Sequence, residues 1–328
     1  MSSGIPHNTK ERQLMNKITI IGSGRVGSTI AYSLTCRGMA SKIVIIDINN
    51  ERALGEAMDI RQGLPYDASC SIYAGSYADA VDSDIVIITS GIARQPGQSR
   101  LDLININIGI QKSIIPQITA YAPNAVYIIV SNPVDILTYA FCKLSGIPEN
   151  KIIGSGTILD TSRLRARISE YCNVDPENVN AYVLGEHGDS EFIPWSVANV
   201  AGVPLDEYTS SLIGRKGIAA PLDKEEITSY VRGSGSRIIS RKGATFYAVS
   251  SAVCYICKAV LSDSNTVMPV SSMMNGEYGI SDVCLSALCV VGKNGINGKL
   301  GIKLTDEEIA NYRNSAKVLK KVIAQSEF

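Results

Sequence analysis

Only two histidines occur in the 328 residues, and they differ in setting. His7 stands in a polar stretch with no hydrophobic pattern, whereas His187 stands in NAYVLGEHGDS (180–190). An unperturbed imidazole titrates near physiological pH and is the default proton shuttle. Imidazole chemistry in the folded body therefore points to His187. Its neighbours Gly185 and Gly188 predict a tight loop that lets the ring stand clear of the backbone. A second pair, Asp160 and Arg163, is three residues apart in LDTSRLR (159–165), so on a helix both share one face. Such a pair can be a surface ion pair and nothing more. Alternatively, Asp160 orients His187 while Arg163 grips a carboxylate bidentately. Arg94 and Arg100 lie in a Gly/Pro stretch, SGIARQPGQSRLDL (90–103), with no acidic residue before Asp102. That pattern predicts a mobile lid over an anionic small molecule.

Elements able to position these groups can be read around them. Lys17–Ile21 is a short apolar strand that runs into GSGRVG (22–27), followed by helical residues 28–34 and a second strand, 43–46, that ends in Asp47. This is the order of a dinucleotide fingerprint. Gly22 permits the tight turn, Gly24 lets backbone approach a pyrophosphate, and Gly27 lets helix and strand pack closely. Val26 falls inside the same turn, and the helix N-terminus offers free N–H groups to phosphate. Asp47 comes 20 residues after Gly27. Its carboxylate suits ribose hydroxyls and repels a 2′-phosphate, which favours NAD over NADP. Further strands at 71–74, 85–89 and 126–130, with helices between them, predict an α/β chain whose N-terminal half is a Rossmann-type doubly wound parallel sheet. Asn132, in SNPVDI (131–136), falls at the carboxyl edge of that sheet, where it can donate to a substrate oxygen or bond the cofactor. IIGSGT (152–157) is a Gly-rich turn that leads into the helix of Asp160. The division expected is a flexible tail over 1–16, an NAD-binding domain over 17–153 and an α+β catalytic domain over 154–328.

Bulk properties narrow the function classes. Lys plus Arg equals Asp plus Glu, 31 against 31, and no basic stripe suggests nucleic acid or a membrane surface. Apolar runs are strand-sized, and the N-terminus lacks the apolar segment of a secretion signal. The eight cysteines are scattered. Cys254 and Cys257 make one CxxC, but no second CxxC completes a zinc site, so buried thiols, a reducing cytoplasmic setting and no metal are expected. Residues 243–261 have the apolar spacing of a buried helix. TDEE (305–308) is a capping-box pattern that opens a terminal helix with solvated Lys317, Lys320 and Lys321.

With these motifs in view, the chain resembles the L-lactate/L-malate dehydrogenases from Lys17 essentially to its C-terminus. GSGRVG (22–27), SRLDL (99–103), SNPVD (131–135), GSGT (154–157), LDTSR (159–163) and GEHGDSE (185–191) carry the resemblance. GEHGD and GSGT look like the lactate branch. The resemblance implies hydride transfer between a nicotinamide and carbon 2 of a small 2-oxo or 2-hydroxy acid. It gives His187 the proton, Asp160 the tautomer and charge of His187, and Arg163 the carboxylate on the reacting carbon. Arg100 polarises the carbonyl from the lid, Asn132 and Ser155 place carbonyl or nicotinamide, and Thr245 lines the substrate pocket. It also implies a homotetramer or homodimer.

The acid itself turns on Arg94, six residues before Arg100. Lactate enzymes resemble one another in carrying Gln there, and malate enzymes in carrying Arg. A second substrate carboxylate in a closed site is costly unless paired, and Arg94 can pair with it. Gln98 stands where lactate enzymes often carry a Glu that would repel that carboxylate. The sequence reading thus prefers malate/oxaloacetate, with L-lactate/pyruvate as the alternative. Fructose 1,6-bisphosphate activation in bacterial lactate enzymes tends to use an Arg and a His. Arg165 matches the first, but Asn180 replaces the second, which argues against activation. An NAD-sensing module would have no use for His187, Asp160, Arg163 and Arg100 together. NAD-dependent glycosidases typically use a Cys/His-held metal, and no Cys lies near His187 in sequence.

Overall fold

The computed structural model describes residues 16–66, 69–93, 97, 99–212 and 222–328. The stretch containing His7 and the lid residues Arg94 and Gln98 lie outside the described residues. The first half alternates strand and helix: β1 (Lys17–Ile21), α1 (Arg25–Cys36), β2 (Lys42–Ile46), α2 (Asn50–Gly63), β3 (Ser71–Ala74), β4 (Ile85–Ile88), α3 (Arg100–Tyr121), β5 (Val126–Ile129), α4 (Val134–Leu144) and β6 (Ile152–Gly154). The second half contains α5 (Ile158–Cys172), the short strands β7 (Val179–Asn180), β8 (Asn199–Val200) and β9 (Val203–Pro204), and α6 (Tyr208–Ser211). It continues with α7 (Lys224–Lys242), α8 (Tyr247–Ser262), β10 (Thr266–Asn275), β11 (Ser281–Gly292), β12 (Gly295–Lys299) and α9 (Asp306–Ile323).

Strands β4 (IVII) and β5 (VYII) are buried along their whole length. Apolar runs of this kind suit parallel strands covered by helices on both faces. The parallel part of the sheet runs β3-β2-β1-β4-β5-β6, so the order reverses between β1 and β4. The carboxyl ends at that reversal form the crevice where doubly wound sheets take ligands. The sheet then continues beyond β6 into three antiparallel strands, β10, β11 and β12, for nine in all. A smaller antiparallel sheet, β7-β8-β9, stands apart. The main core follows the large sheet, while Leu164, Ile168, Val183, Ile227 and Val231 form a second core.

Boundaries differ from the sequence pattern in places with local causes. Helix α8 starts at Tyr247 rather than at 243, because Gly243, at φ 82°, is the left-handed C-cap of α7. Helix α5 reaches well beyond residue 165, to Cys172, where Asn173 in the left-handed region ends it. At α9, the Thr305 hydroxyl accepts from the Glu308 N–H and the Glu308 carboxylate accepts from the Thr305 N–H, closing the capping box. Glu308 also accepts from Ser196, which ties α9 to the loop that follows the His187 segment. Cys254 and Cys257 are buried free thiols on α8. No helix among the described residues is long and apolar enough to cross a membrane.

Candidate active site

The turn after β1 has the shape of a phosphate cradle. Gly22 sits at φ 106°, and a Cβ there would lie 2.6 Å from Thr89 Oγ1 and 2.9 Å from the Ser90 amide. A Cβ on Gly27 would lie 1.9 Å from the Gly22 carbonyl oxygen, so α1 can start this close to β1 only with glycine there. Over Gly24, the residue before α1, nothing lies within 4 Å, which leaves room for a ligand above the helix N-terminus. Asp47 stands at the end of β2. Its Oδ2 accepts from the Ser23 amide and hydroxyl (2.6 and 2.8 Å), and its Oδ1 accepts from the Asn49 amide. Partial burial works against its charge, but the bonds from Ser23 and Asn49 and the nearby Arg52 hold the carboxyl below its usual range. An ionised carboxylate offers about four acceptor sites, so Asp47 can still take ribose hydroxyls. These residues fit an NAD molecule.

From this turn, a cavity of about 330 Å³ extends toward α5 and α7. Val26, Asn132, Ser155, Asp160, Arg163, His187 and Thr245 all line it. Asp160, almost wholly buried, joins the two helical candidates to the histidine. Its Oδ2 is 2.5 Å from His187 Nδ1, and its Oδ1 accepts from Arg163 Nη1 at 2.8 Å. The surface ion pair and the orienting role are therefore not alternatives in space, because one carboxylate makes both contacts. Burial pulls the His187 pKa down, but Asp160, through charge and hydrogen bond, with help from Asp135 and Glu191, lifts it to about 9. Burial pushes the Asp160 carboxyl up, and His187 and Arg163 more than reverse that, so it stays below its usual range. The pair is imidazolium and carboxylate at neutral pH.

The loop that carries His187 is pinned from several sides. Leu184 and Phe192 exchange backbone hydrogen bonds across it, and Gly185 does the same with Ser286 of β11. Gly185, at φ 90°, approaches α9 so closely that a Cβ would lie 2.9 Å from Ser315 Oγ. The His187 amide donates to Asp135 Oδ2, and Asp135 Oδ1 accepts from Ser271 of β10. Burial pushes the Asp135 carboxyl up to about 6 against those two bonds. The antiparallel strands and α9 thus set the height of the ring above the sheet.

Arg100 does not line the cavity. Its side chain is 45% exposed and reaches Glu186, 2% exposed, at 2.5 Å, while Ser190 donates to the same carboxylate. Glu191 and Arg232 line the cavity, and Arg232 donates to the Glu191 backbone carbonyl. Gly235 of α7 forms another part of the wall, and a Cβ there would be 3.8 Å from Arg163 Nη2. Asp135 and Glu191 fall inside SNPVD and GEHGDSE, where motif membership gives no role. Arg232 has no local signature at all. Asp160, His187 and Glu191 place possible metal-binding atoms within 4.8 Å of one another. Both Asp160 oxygens are already used by cations, and Arg163 and Arg232 add positive charge nearby. This donor set fits an acid–base centre better than a cation site. Elsewhere, the Arg165 guanidinium lies 5.0 Å over the Tyr182 ring and donates to the Ala181 carbonyl, and Asn180 bonds Asn199.

A glycine-lined turn at the reversal of a doubly wound sheet, opening into a cavity where one buried carboxylate holds an imidazole and a guanidinium, is the layout of a nicotinamide-dependent dehydrogenase. Residues 16–154 match the family model of the lactate/malate dehydrogenase NAD binding domain, and residues 157–327 match that of the lactate/malate dehydrogenase alpha/beta C-terminal domain. Among the relatives is an L-lactate dehydrogenase of Thermoanaerobacter sp. (strain X514), 48% identical over 312 residues, which are 95% of this chain and 99% of that one. The L-lactate dehydrogenase of Clostridium perfringens (strain SM101 / Type A) is 47% identical over 96% of this chain and 99% of its own. A solved minor L-lactate dehydrogenase from Enterococcus mundtii superposes with a TM-score of 0.90 at 37% identity, covering 94% of this chain and 98% of that one. The chain belongs to the lactate/malate dehydrogenase family. It is an NAD-dependent 2-hydroxy acid dehydrogenase, an oxidoreductase acting on CH–OH groups.

Proposed function

We propose that this enzyme interconverts pyruvate and L-lactate. One observation carries the chemistry: a single buried carboxylate, Asp160, holds both the imidazole of His187 and the guanidinium of Arg163 at the wall of one cavity. A 2-oxo acid needs both groups, a cation for its carboxylate and a proton donor for its ketone oxygen one bond away. Bound NADH supplies the hydride. Arg163 takes the substrate carboxylate bidentately, because an unpaired anion in so enclosed a site is costly. His187 carries the proton from solvent to the ketone oxygen, and takes it back when the alcohol is oxidised. Asp160 fixes the tautomer and stabilises the imidazolium. Arg100 leaves Glu186, at least in part, to polarise the carbonyl as the lid closes and excludes water. Asn132 and Ser155 place the carbonyl and nicotinamide, and Thr245 bounds the space for the substrate side chain. Gly22, Gly24, Val26, Gly27 and Asp47 hold NAD. In this reading residues 17–153 carry the nucleotide and residues 154–328 the substrate, no metal takes part, and the enzyme is a cytoplasmic homotetramer or homodimer.

The names of the relatives support pyruvate over oxaloacetate. Arg94 and Gln98 support a second reading, oxaloacetate/malate, because Arg94 could pair with a second carboxylate. NADH oxidation with pyruvate and oxaloacetate titrated separately, for the natural enzyme and Arg94→Gln, tests the choice. A higher kcat/KM for pyruvate, little changed or improved by Arg94→Gln, is expected. A higher kcat/KM for oxaloacetate that Arg94→Gln abolishes would replace the first reading with the second.

A further inference from the structure

Glu191 is a buried carboxyl group to which the chemistry above gives no task. It is 5% exposed and lines the cavity, yet among the described residues no hydrogen bond or ion pair reaches its carboxyl. Arg232 of α7 is close but donates to the Glu191 carbonyl oxygen instead. The charged groups facing the Glu191 carboxyl are Asp160 and Arg163 of α5, His187 of its own loop and Arg232. Its nearer oxygen lies within 4.8 Å of the Asp160 and His187 donor atoms. Two carboxylates this close in a buried site cannot both be charged cheaply, and one keeps a proton. Asp160 keeps its charge because Arg163 and His187 bond its two oxygens. The proton falls to Glu191, which burial and the negative charge of Asp160 push up to about 8.

We propose that Glu191 is a second proton-binding group of the active site, distinct from His187, and that its proton must be in place for the anionic 2-oxo acid to bind beside Arg163. This rests on the reading that Arg163 holds the substrate carboxylate. Once that carboxylate is bound, Arg163 compensates less of the charge on an ionised Glu191, and the two anions repel. Substrate binding and Glu191 protonation therefore strengthen each other by the same factor, as linkage requires. Glu191 acts as a positioning residue, through the charge it withholds from the site, and it exchanges no proton with the substrate.

The test is calorimetric titration of the NADH complex with oxamate, in which an amide replaces the pyruvate methyl group. It is run in buffers of different ionisation enthalpy at pH 6.5 and 9.5, with the natural enzyme and Glu191→Gln. His187 accounts for at most one proton. At pH 9.5 the natural enzyme is expected to take up more than one proton per oxamate, and the variant no more than one. A binding-competent form that is a minor fraction weakens the apparent Kd by that fraction. The variant should therefore bind oxamate on the order of tenfold more tightly than the natural enzyme at pH 9.5, with equal affinity at pH 6.5 showing that its site is intact. Uptake of one proton or fewer by the natural enzyme at pH 9.5 overturns the proposal, whatever the variant does. Failure of the NADH complex to bind oxamate even at pH 6.5, or binding indifferent to Arg163→Lys, overturns the substrate reading and the proposal with it.

Discussion

Asp160→Asn removes one charge and almost no volume from the centre of the site, and its cost can be worked through. Asp160 is the chief cause of the rise in His187 from 6.5 to about 9, against burial that pulls the other way. That rise corresponds to roughly 3 kcal/mol of preference for the imidazolium. With an amide in place of the carboxylate, burial prevails and the pKa falls below 6.5. At pH 7.5 at most about a tenth of the imidazole would then carry the proton that reduction needs. Loss of a charge-assisted hydrogen bond to the imidazolium adds about 1.5–3 kcal/mol. The product is a loss of roughly a hundred- to a thousandfold in kcat/KM for NADH-dependent reduction at pH 7.5. The two parts separate by pH. Going from pH 7.5 to 5.5 should recover about tenfold in the variant, while the natural enzyme, whose imidazole is already protonated, gains no such factor. NADH affinity, measured by fluorescence, should not change, because Asp160 is not part of the cradle around Gly22, Gly24 and Asp47. A variant with the natural rate and no acid rescue would refute the coupling of Asp160 to the proton on His187.

Other outcomes follow from the same geometry. Arg163→Lys should raise KM for the 2-oxo acid by roughly a hundredfold and lower kcat much less, since a point charge replaces a fork that meets two oxygens; an unchanged KM in a steady-state titration would remove Arg163 from substrate binding. Gly27→Ala sets a Cβ 1.9 Å from the Gly22 carbonyl, so α1 must shift, and NADH affinity should fall at least about tenfold along with Tm. Wild-type affinity in that variant would mean that the turn after β1 is not the nucleotide site. Glu191 binds its proton more tightly when folded, at about 8 against a usual 4.5. Its contribution to stability is therefore fully present below pH 4.5 and is lost as pH rises toward and through 8. Differential scanning fluorimetry should show a smaller fall in Tm between pH 5 and 9 for Glu191→Gln than for the natural enzyme. An equal or larger fall would mean that Glu191 is ionised at no cost.

Much of this molecule is written locally, and the parts that are not share a physical reason. β1 and β3 fall at the residues that apolar patterning indicates, and β2, β4 and β5 within one residue of them; in β1, β2, β4 and β5, buried along nearly all of their length, Ile and Val carry the signal, whereas in the edge strand β3 only Ile72 is buried. Asp160 and Arg163 are legible as a pair because helical spacing alone brings them together. Strands β10 and β11 are harder to read, since they bury Ser271, Ser272 and Ser286 among apolar residues. Ser271 is there to hold Asp135, a partner 136 residues away. The Arg100–Glu186 pair spans 86 residues and joins the start of α3 to the His187 loop. Nothing in either local sequence indicates which acid meets which arginine. Glu191 is the same case: sequence places it near His187, but only the packing of α5 and α7 shows that its carboxyl faces the cavity without a partner. The residues that would choose between pyruvate and oxaloacetate, Arg94 and Gln98, are legible as types, and their choice rests with kinetics.

The central claim is that His187 passes the proton that accompanies hydride transfer to a 2-oxo acid. Single-turnover oxidation of bound NADH by saturating pyruvate, followed at 340 nm with the natural enzyme and His187→Asn, tests it most directly. The account predicts a loss of about 10²–10⁴ in the hydride-transfer rate with NADH affinity preserved. A variant that transfers hydride within a few-fold of the natural rate would contradict it.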